Sequence, residues 1–314
     1  MSTDASVLQQ RYQANNEILA ANPELDLPLM RALMEEIHRC AAEPAGVTYA
    51  EVDAGGRPAM WCTPVASSDD APVVLFLHGG GFVLQSPHSH RKLAGHLAVG
   101  VGAPVLVLDY RQAPEHPAPA QLEDAVAAYA WLIDQGVPAD RIAVAGDSAG
   151  ANLAVTTVLR LRDQGAPLPA GVIGFSPWFD LECRGASMET NADKDLLITK
   201  EICAMMAGLY LGEGGSPSDP ALNPLYADFS GFPPVYLCAG GDEALLDDGR
   251  RLSDLAREAG ADVTFDVVPG QQHVHVFMAG RAPEADRSIA TAAAWLSARV
   301  GQPATSEISA GGAG

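Results

Sequence analysis

The sequence predicts an α/β fold in which a mostly parallel sheet is covered by helices on both faces and overlaid by a helical cap. Three observations lead there. Short runs of apolar, β-branched residues recur along the 314-residue chain with helical patterns between them. One such run ends in Gly146-Asp147-Ser148-Ala149-Gly150, a G-x-S-x-G turn that passes from strand into helix. Two segments, 1–45 and 180–232, carry helical periodicity and no convincing strand, so they stand outside the alternation.

Within the first 45 residues, Leu27, Met30, Leu33, Met34 and Ile37 recur at spacings of three and four and give one apolar face that needs a partner. Val47 to Asp53 and Arg57 to Thr63, joined by Ala54-Gly55-Gly56, read as a β-hairpin, and 65–71 as a polar loop. The alternation then begins with a strand over 72–77 that runs into His78-Gly79-Gly80-Gly81-Phe82. A helix over 90–99, a strand over 104–108, a helix over 122–135 and a strand over 141–145 lead to the G-x-S-x-G turn and its helix from Ala151 to Leu161. Strands over 172–175, 235–239 and 263–268, with helices over 244–259 and 283–300, complete the series. Between Asp180 and Phe232 the helical stripe Ile202, Met205, Met206, Leu209 and Tyr210 is expected to form part of a cap. The expected organisation is an N-terminal cap segment 1–45, a first core part 46–179, a second cap segment 180–232, a second core part 233–300 and a disordered tail 301–314.

Composition excludes several classes of function. The net charge of −20, with Lys92, Lys194 and Lys200 as the only lysines, argues against nucleic acid or an anionic membrane as partner. No run reaches the roughly 20 apolar residues of a membrane helix. Met1 to Ala20 lacks the basic-then-apolar pattern of a signal peptide, so a cytoplasmic protein is expected. The five cysteines, Cys40, Cys62, Cys183, Cys203 and Cys238, are scattered and suggest neither a disulfide framework nor a zinc site. His88, His90 and His96 lack the carboxylate or cysteine partners that zinc spacing requires.

The turn at Ser148 carries the chemistry. A serine hydroxyl is a weak nucleophile and needs a histidine base oriented by an acid. In the usual order of such sites the acid follows the serine, on a loop just past a strand, and the histidine follows the acid. Asp242 fits the acid, after the strand 235–239 and the bend Gly240-Gly241; Glu243 is the lesser option. Asp247 and Asp248 fall inside the next helix, where first-turn acids have an ordinary dipole role. His273 fits the base, behind the loop Pro269 to Gln272, with His275 two residues further on as its rival. The glycines of 78–82 let backbone N–H groups approach an oxyanion, and Gly80, Gly81 and Ala149 are the expected donors. No Lys-Ser/Thr follows these glycines, so a phosphate-binding loop is excluded.

His78-Gly79-Gly80-Gly81-Phe82, the stretch Tyr110-Arg111-Gln112-Ala113-Pro114-Glu115-His116-Pro117 and Gly146 to Gly150 together resemble the bacterial hormone-sensitive-lipase-like family of α/β-hydrolases, in its GDSAG branch. The resemblance runs from about Val73 to Leu296. It implies an α/β-hydrolase fold with a helical cap from two chain segments, a Ser148–His273–Asp242 triad, and hydrolysis of small carboxylic esters with short to medium acyl chains. It also implies frequent homodimers, and the chemistry calls for no metal or cofactor. Lactones, as cyclic esters, would use the same groups. A plant gibberellin receptor resembles this family but lacks the triad histidine, so His273 argues against a purely ligand-binding role. Where the family usually has an aromatic residue two places after that histidine, this chain has His275. Leu33, Met34, Met205, Met206, Leu209 and Tyr210, with Phe82 and Trp178 from the core, are the expected lining of the substrate pocket.

Overall fold

The computed structural model describes residues 5–68 and 71–300; the tail over 301–314, expected to be disordered, lies outside the described residues. Eight strands form one sheet: β1 (Val47–Asp53), β2 (Pro58–Pro64), β3 (Val73–Leu77), β4 (Val105–Leu108), β5 (Ile142–Asp147), β6 (Gly171–Phe175), β7 (Val235–Gly240) and β8 (Val263–Val268). Their spatial order is β1-β2-β4-β3-β5-β6-β7-β8. The β1–β2 hairpin is antiparallel and joins β4 antiparallel; every pair from β4 to β8 is parallel. The sheet is thus mostly parallel, as the alternation of strands and helices requires.

The helices are α1 (Ala5–Ala21), α2 (Leu27–Glu35), α3 (Pro87–Val101), α4 (Ala120–Asp134), α5 (Ala149–Asp163), the short α6 (Ser187–Thr190), α7 (Lys200–Leu211), α8 (Leu246–Glu258) and α9 (Pro283–Ser297). Successive strand side chains point to opposite faces, so the central strands feed two separate cores. Leu75, Leu77, Leu106, Leu108, Val144 and Leu237 pack on one face with Leu122, Ala128, Leu153, Val158 and Leu252 of α4, α5 and α8. Val74, Phe76, Val105, Val107, Ala145 and Tyr236 pack on the other with Leu93, Leu97, Ile289 and Leu296 of α3 and α9. Covering both faces explains why β3, β4 and β5 are buried along their whole length and, up to Gly146 in β5, read as apolar runs.

Two departures from the expected elements concern the start and the middle of the chain. The apolar stripe over 27–37 does not lie on one helix: α2 ends at Glu35 and a 3₁₀ turn over Glu36–Cys40 tightens its last turn. The stretch 180–232 is largely irregular, with α6, α7 and a 3₁₀ turn at Pro224–Tyr226 as its only helices among the described residues. No described helix is long and apolar enough to cross a membrane.

Candidate active site

The site is assembled from loops at the carboxyl edge of the sheet, where crevices of open α/β folds lie. β3 runs into the glycine loop, β5 into Ser148, β7 into the bend before Glu243, and β8 into the loop carrying His273. Ser148 has φ 52° and ψ −122°, outside the regions open to most residues. Strain of this kind costs on the order of 1–3 kcal/mol and is held by the surroundings. Here the Ser148 N–H donates to Phe175 O (2.9 Å), and Ser148 O accepts from Trp178 N (3.1 Å). The turn is possible only with glycine behind it: a Cβ on Gly150 would lie 1.9 Å from Leu77 O, and one on Gly146 would lie 2.4 Å from the Gly150 carbonyl carbon. α5 starts at Ala149, so its positive end lies beside the serine.

His273 Nε2 is 3.0 Å from Ser148 Oγ, and His273 Nδ1 is 3.0 Å from Glu243 Oε2. The acid facing the imidazole is therefore Glu243, not Asp242. Asp242 is half-buried, and its backbone N–H donates to Gln271 O (3.2 Å) as the bend after β7 packs on the loop after β8. That packing sets the choice. A Cβ on Gly240 would lie 2.2 Å from Gln271 O, so the bend is pressed against the histidine loop, and Glu243 is the next residue whose side chain turns inward. Glu243 is fully buried; its Oε1 accepts from Ser176 Oγ (2.6 Å) and, in a very short hydrogen bond, from Gly240 N. A carboxylate only accepts, so Nδ1 carries the imidazole proton and Nε2 is left to accept from the serine hydroxyl. Burial depresses the pKa of His273, but the hydrogen bond and charge of Glu243, with the charges of Asp195 and Asp147, outweigh it and hold the pKa above the ordinary 6.5.

His275 is placed differently. It lies in a 3₁₀ turn over His275–Met278, its Nε2 is 2.8 Å from Ser288 Oγ of α9, and burial lowers its pKa to about 4. Asp247 and Asp248 lie in the first turn of α8, as expected, and also accept backbone N–H groups from the 179–187 segment. Asp247 accepts from Ser187 N and Asp248 from Phe179 N and Asp180 N, each at 2.8 Å. Of the three histidines over 88–96, His90 faces Asp147 Oδ1 (3.1 Å) and His96 faces Ala42 O (3.1 Å).

The glycine loop is braced from several sides. Asp147 Oδ1 accepts from Gly79 N (3.1 Å), and Tyr110 OH donates to His78 O (2.7 Å) while its ring stacks on His78 at 4.2 Å. Gln112 Nε2 donates to Leu84 O (3.0 Å) and Gln85 O (2.7 Å), and Arg31 Nε to Val83 O (2.8 Å). The stretch 110–117 therefore acts on the site through this loop. Gly80 and Gly81 have φ of +96° and +64° and line the cavity with Ser148. Ala149 is buried at the first position of α5, where its N–H has no partner within the helix.

A cavity of about 140 Å³ opens on Ser148 and His273. Its apolar lining comes from three parts of the chain: Met30, Met34 and Ile37 near the N-terminus, Leu197, Ile202, Met205 and Met206 in and before α7, and Trp178, Leu245 and Phe277 from loops of the core. Of the expected lining, Met34, Met205, Met206 and Trp178 are present, whereas Leu33, Leu209, Phe82 and Tyr210 are not. Phe82 and Tyr210 are fully buried and stacked on each other at 3.7 Å, which fastens α7 to the glycine loop; Leu209 packs, half-buried, against the core, and Leu33 is half-buried on α2. Sequence reasoning missed Tyr12, which lines the cavity and donates from its hydroxyl to His273 O (2.8 Å), Ser176, which donates to Glu243 Oε1 (2.6 Å), and Asp195, which accepts from Ala244 N (2.8 Å). Their only signal was position: Ser176 directly follows a strand that ends beside β5.

The alpha/beta hydrolase fold family matches residues 74–279. The chain belongs to the α/β-hydrolases of the hormone-sensitive-lipase-like group. It is 40% identical over 300 residues to an acetyl-hydrolase of Streptomyces hygroscopicus, covering 90% of this chain and 99% of that protein. It is 35% identical over 227 residues to an esterase of Acinetobacter venetianus, covering 72% and 74% of the two chains. A crystal structure of an esterase from the bacterial hormone-sensitive lipase family superposes with a TM-score of 0.91 at 39% identity, over 96% of this α/β-hydrolase and 99% of that chain.

Proposed function

We propose that this α/β-hydrolase is a serine carboxylesterase acting on esters with short to medium acyl chains. The observation that carries the reading is the continuous line Glu243–His273–Ser148, with both hydrogen bonds at 3.0 Å and every member buried. His273 Nε2 takes the Ser148 proton as Oγ attacks the ester carbonyl. The N–H groups of Gly80, Gly81 and Ala149 are the donors assigned to the oxyanion. The imidazolium, held by Glu243, then protonates the leaving alkoxide, which departs as the alcohol and leaves an acyl-serine. Water attacks the acyl carbonyl and gives its proton to His273, which returns it to Ser148 Oγ as the acid leaves. That the named relatives are an acetyl-hydrolase and esterases supports this reading.

Segments 1–45 and 180–232 act as the cap, since each contributes apolar walls over Ser148. The cavity is walled by large side chains, which favours acyl chains of roughly two to eight carbons. The test is a p-nitrophenyl ester series of increasing acyl length run with wild type and Ser148→Ala, beside labelling by a fluorophosphonate probe. Wild type should be labelled and fastest on short to medium chains, and Ser148→Ala should be unlabelled and lose on the order of 10⁴ to 10⁶ in turnover. A variant that keeps a tenth of wild-type turnover would remove Ser148 from the mechanism, and preference for long chains would remove the closed acyl pocket.

A further inference from the structure

We propose that the peptide unit joining His273 to Val274 is the clamp that sets the base, and that Tyr12 and Ser176, which hold its two ends, are positioning residues for His273. The proposal rests on the serine-esterase reading of the same site. The carbonyl of this peptide accepts from Tyr12 OH at 2.8 Å, and its N–H, on Val274, donates to Ser176 Oγ at 2.9 Å. Both side chains are buried and reach it from distant parts of the chain: Tyr12 from α1 and Ser176 from the end of β6. The Ser176 hydroxyl spends its own proton on Glu243 Oε1 at 2.6 Å. Glu243, His273, the following N–H and Ser176 thus close a ring of hydrogen bonds in which the acid and the base's backbone share one hydroxyl.

The backbone needs such a hold. Val274 has φ 50° and ψ 46°, a left-handed conformation that a β-branched residue adopts only under constraint, and Ser176 has φ 48°. Relaxing either would swing the imidazole away from Ser148 Oγ. A displacement of about 1 Å costs on the order of 10²-fold in rate. The clamp also touches the chemistry electronically. With Ser176 donating to it, the Glu243 carboxylate is a weaker partner for the imidazolium than it would be alone. The charged and titratable groups facing His273 are Glu243, Asp195 from the irregular segment before α7, Asp147 from the end of β5, and the tyrosine hydroxyl itself, with His275 two residues along the chain.

The experiment compares the full-length wild type with Ser176→Ala, Tyr12→Phe, Ser148→Ala and, as control, Tyr129→Phe. Tyr129 OH of α4 donates to Pro167 O (3.0 Å) in the loop after α5, and neither residue lines the cavity, so this variant removes a tyrosine–carbonyl bond that has no part in the site. The readouts are kcat and KM on p-nitrophenyl acetate across the acid limb of the pH profile, the rate of fluorophosphonate labelling, and Tm. Ser176→Ala is expected to lower kcat and labelling about 10- to 100-fold with KM within about twofold, and to move the acid limb to higher pH. Tyr12→Phe should lower kcat about 5- to 20-fold with the limb in place, and Tyr129→Phe should behave as wild type. Should Ser176→Ala fold poorly, Ser176→Cys keeps the shape with a weak donor and is expected to act in the same direction. The clamp is refuted if both site variants stay within about twofold of wild type at every pH, or if their losses merely follow a fall in Tm. Labelled, active Ser148→Ala would instead overturn the esterase reading on which the clamp depends.

Discussion

Glu243→Gln tests the acid and, with it, the tautomer of the base. Oε1 of Glu243 sits between two donors, Ser176 Oγ and Gly240 N, and Oε2 faces His273 Nδ1. A glutamine in the same place must put its carbonyl toward the two donors, because its NH₂ cannot accept from them. The NH₂ is then aimed at Nδ1, which can meet it only as an acceptor. The imidazole proton moves to Nε2, and the atom facing Ser148 can no longer take the serine's proton. A triad held in the wrong tautomer loses about 10⁴ in kcat, which corresponds to roughly 5 kcal/mol of transition-state stabilisation. Asp242→Asn changes a half-buried group that is not the partner of His273, so kcat should stay within about threefold of wild type. The assay is steady-state hydrolysis of p-nitrophenyl acetate for both variants, with circular dichroism to show that each is folded. A Glu243→Gln enzyme that keeps more than a tenth of wild-type kcat, or an Asp242→Asn enzyme that is dead, would refute the assignment.

Other outcomes follow from the same geometry. His273 must be neutral to accept a proton and its pKa lies above 6.5, so kcat/KM should rise with pH through an inflection above that value; a limb well below 6.5 would contradict the pairing with Glu243. His275→Phe removes a hydrogen bond to Ser288, whose hydroxyl still donates to Glu284 O (3.0 Å), so most activity should survive with a stability cost of about 1 kcal/mol measured by urea unfolding. Gly150→Ala would drive a Cβ to 1.9 Å from Leu77 O and 2.6 Å from His78 O, both backbone atoms in the middle of the site. It should lose activity and more than about 3 kcal/mol of stability, and a normal Tm would show that the turn can relax.

Much of this protein is written locally. Buried strands flanked by helices on both faces are apolar on both sides, and so β3, β4 and β5 up to Gly146 stand out as apolar runs in the sequence. The turn at Ser148 needs glycine where a Cβ would collide with backbone, and that need leaves Gly146 and Gly150 visible at fixed spacing. The order of serine, acid loop and histidine loop follows from the order of the strands that carry them. Which residue of a loop points inward does not. Asp242 and Glu243 are neighbours of like chemistry, and only the packing of the Gly240 bend on Gln271 turns the second of them toward His273. Phe82 and Tyr210 show the same limit: apolar periodicity marks them as buried, but whether they face a cavity or each other depends on how α7 settles on the glycine loop. Tyr12 and Ser176 lie beyond any local pattern, because the peptide they hold is brought to them by contacts spanning 261 and 98 residues. Short-range sterics and burial fixed the scaffold and the nucleophile; long-range packing chose the acid, the pocket wall and the groups that hold the base.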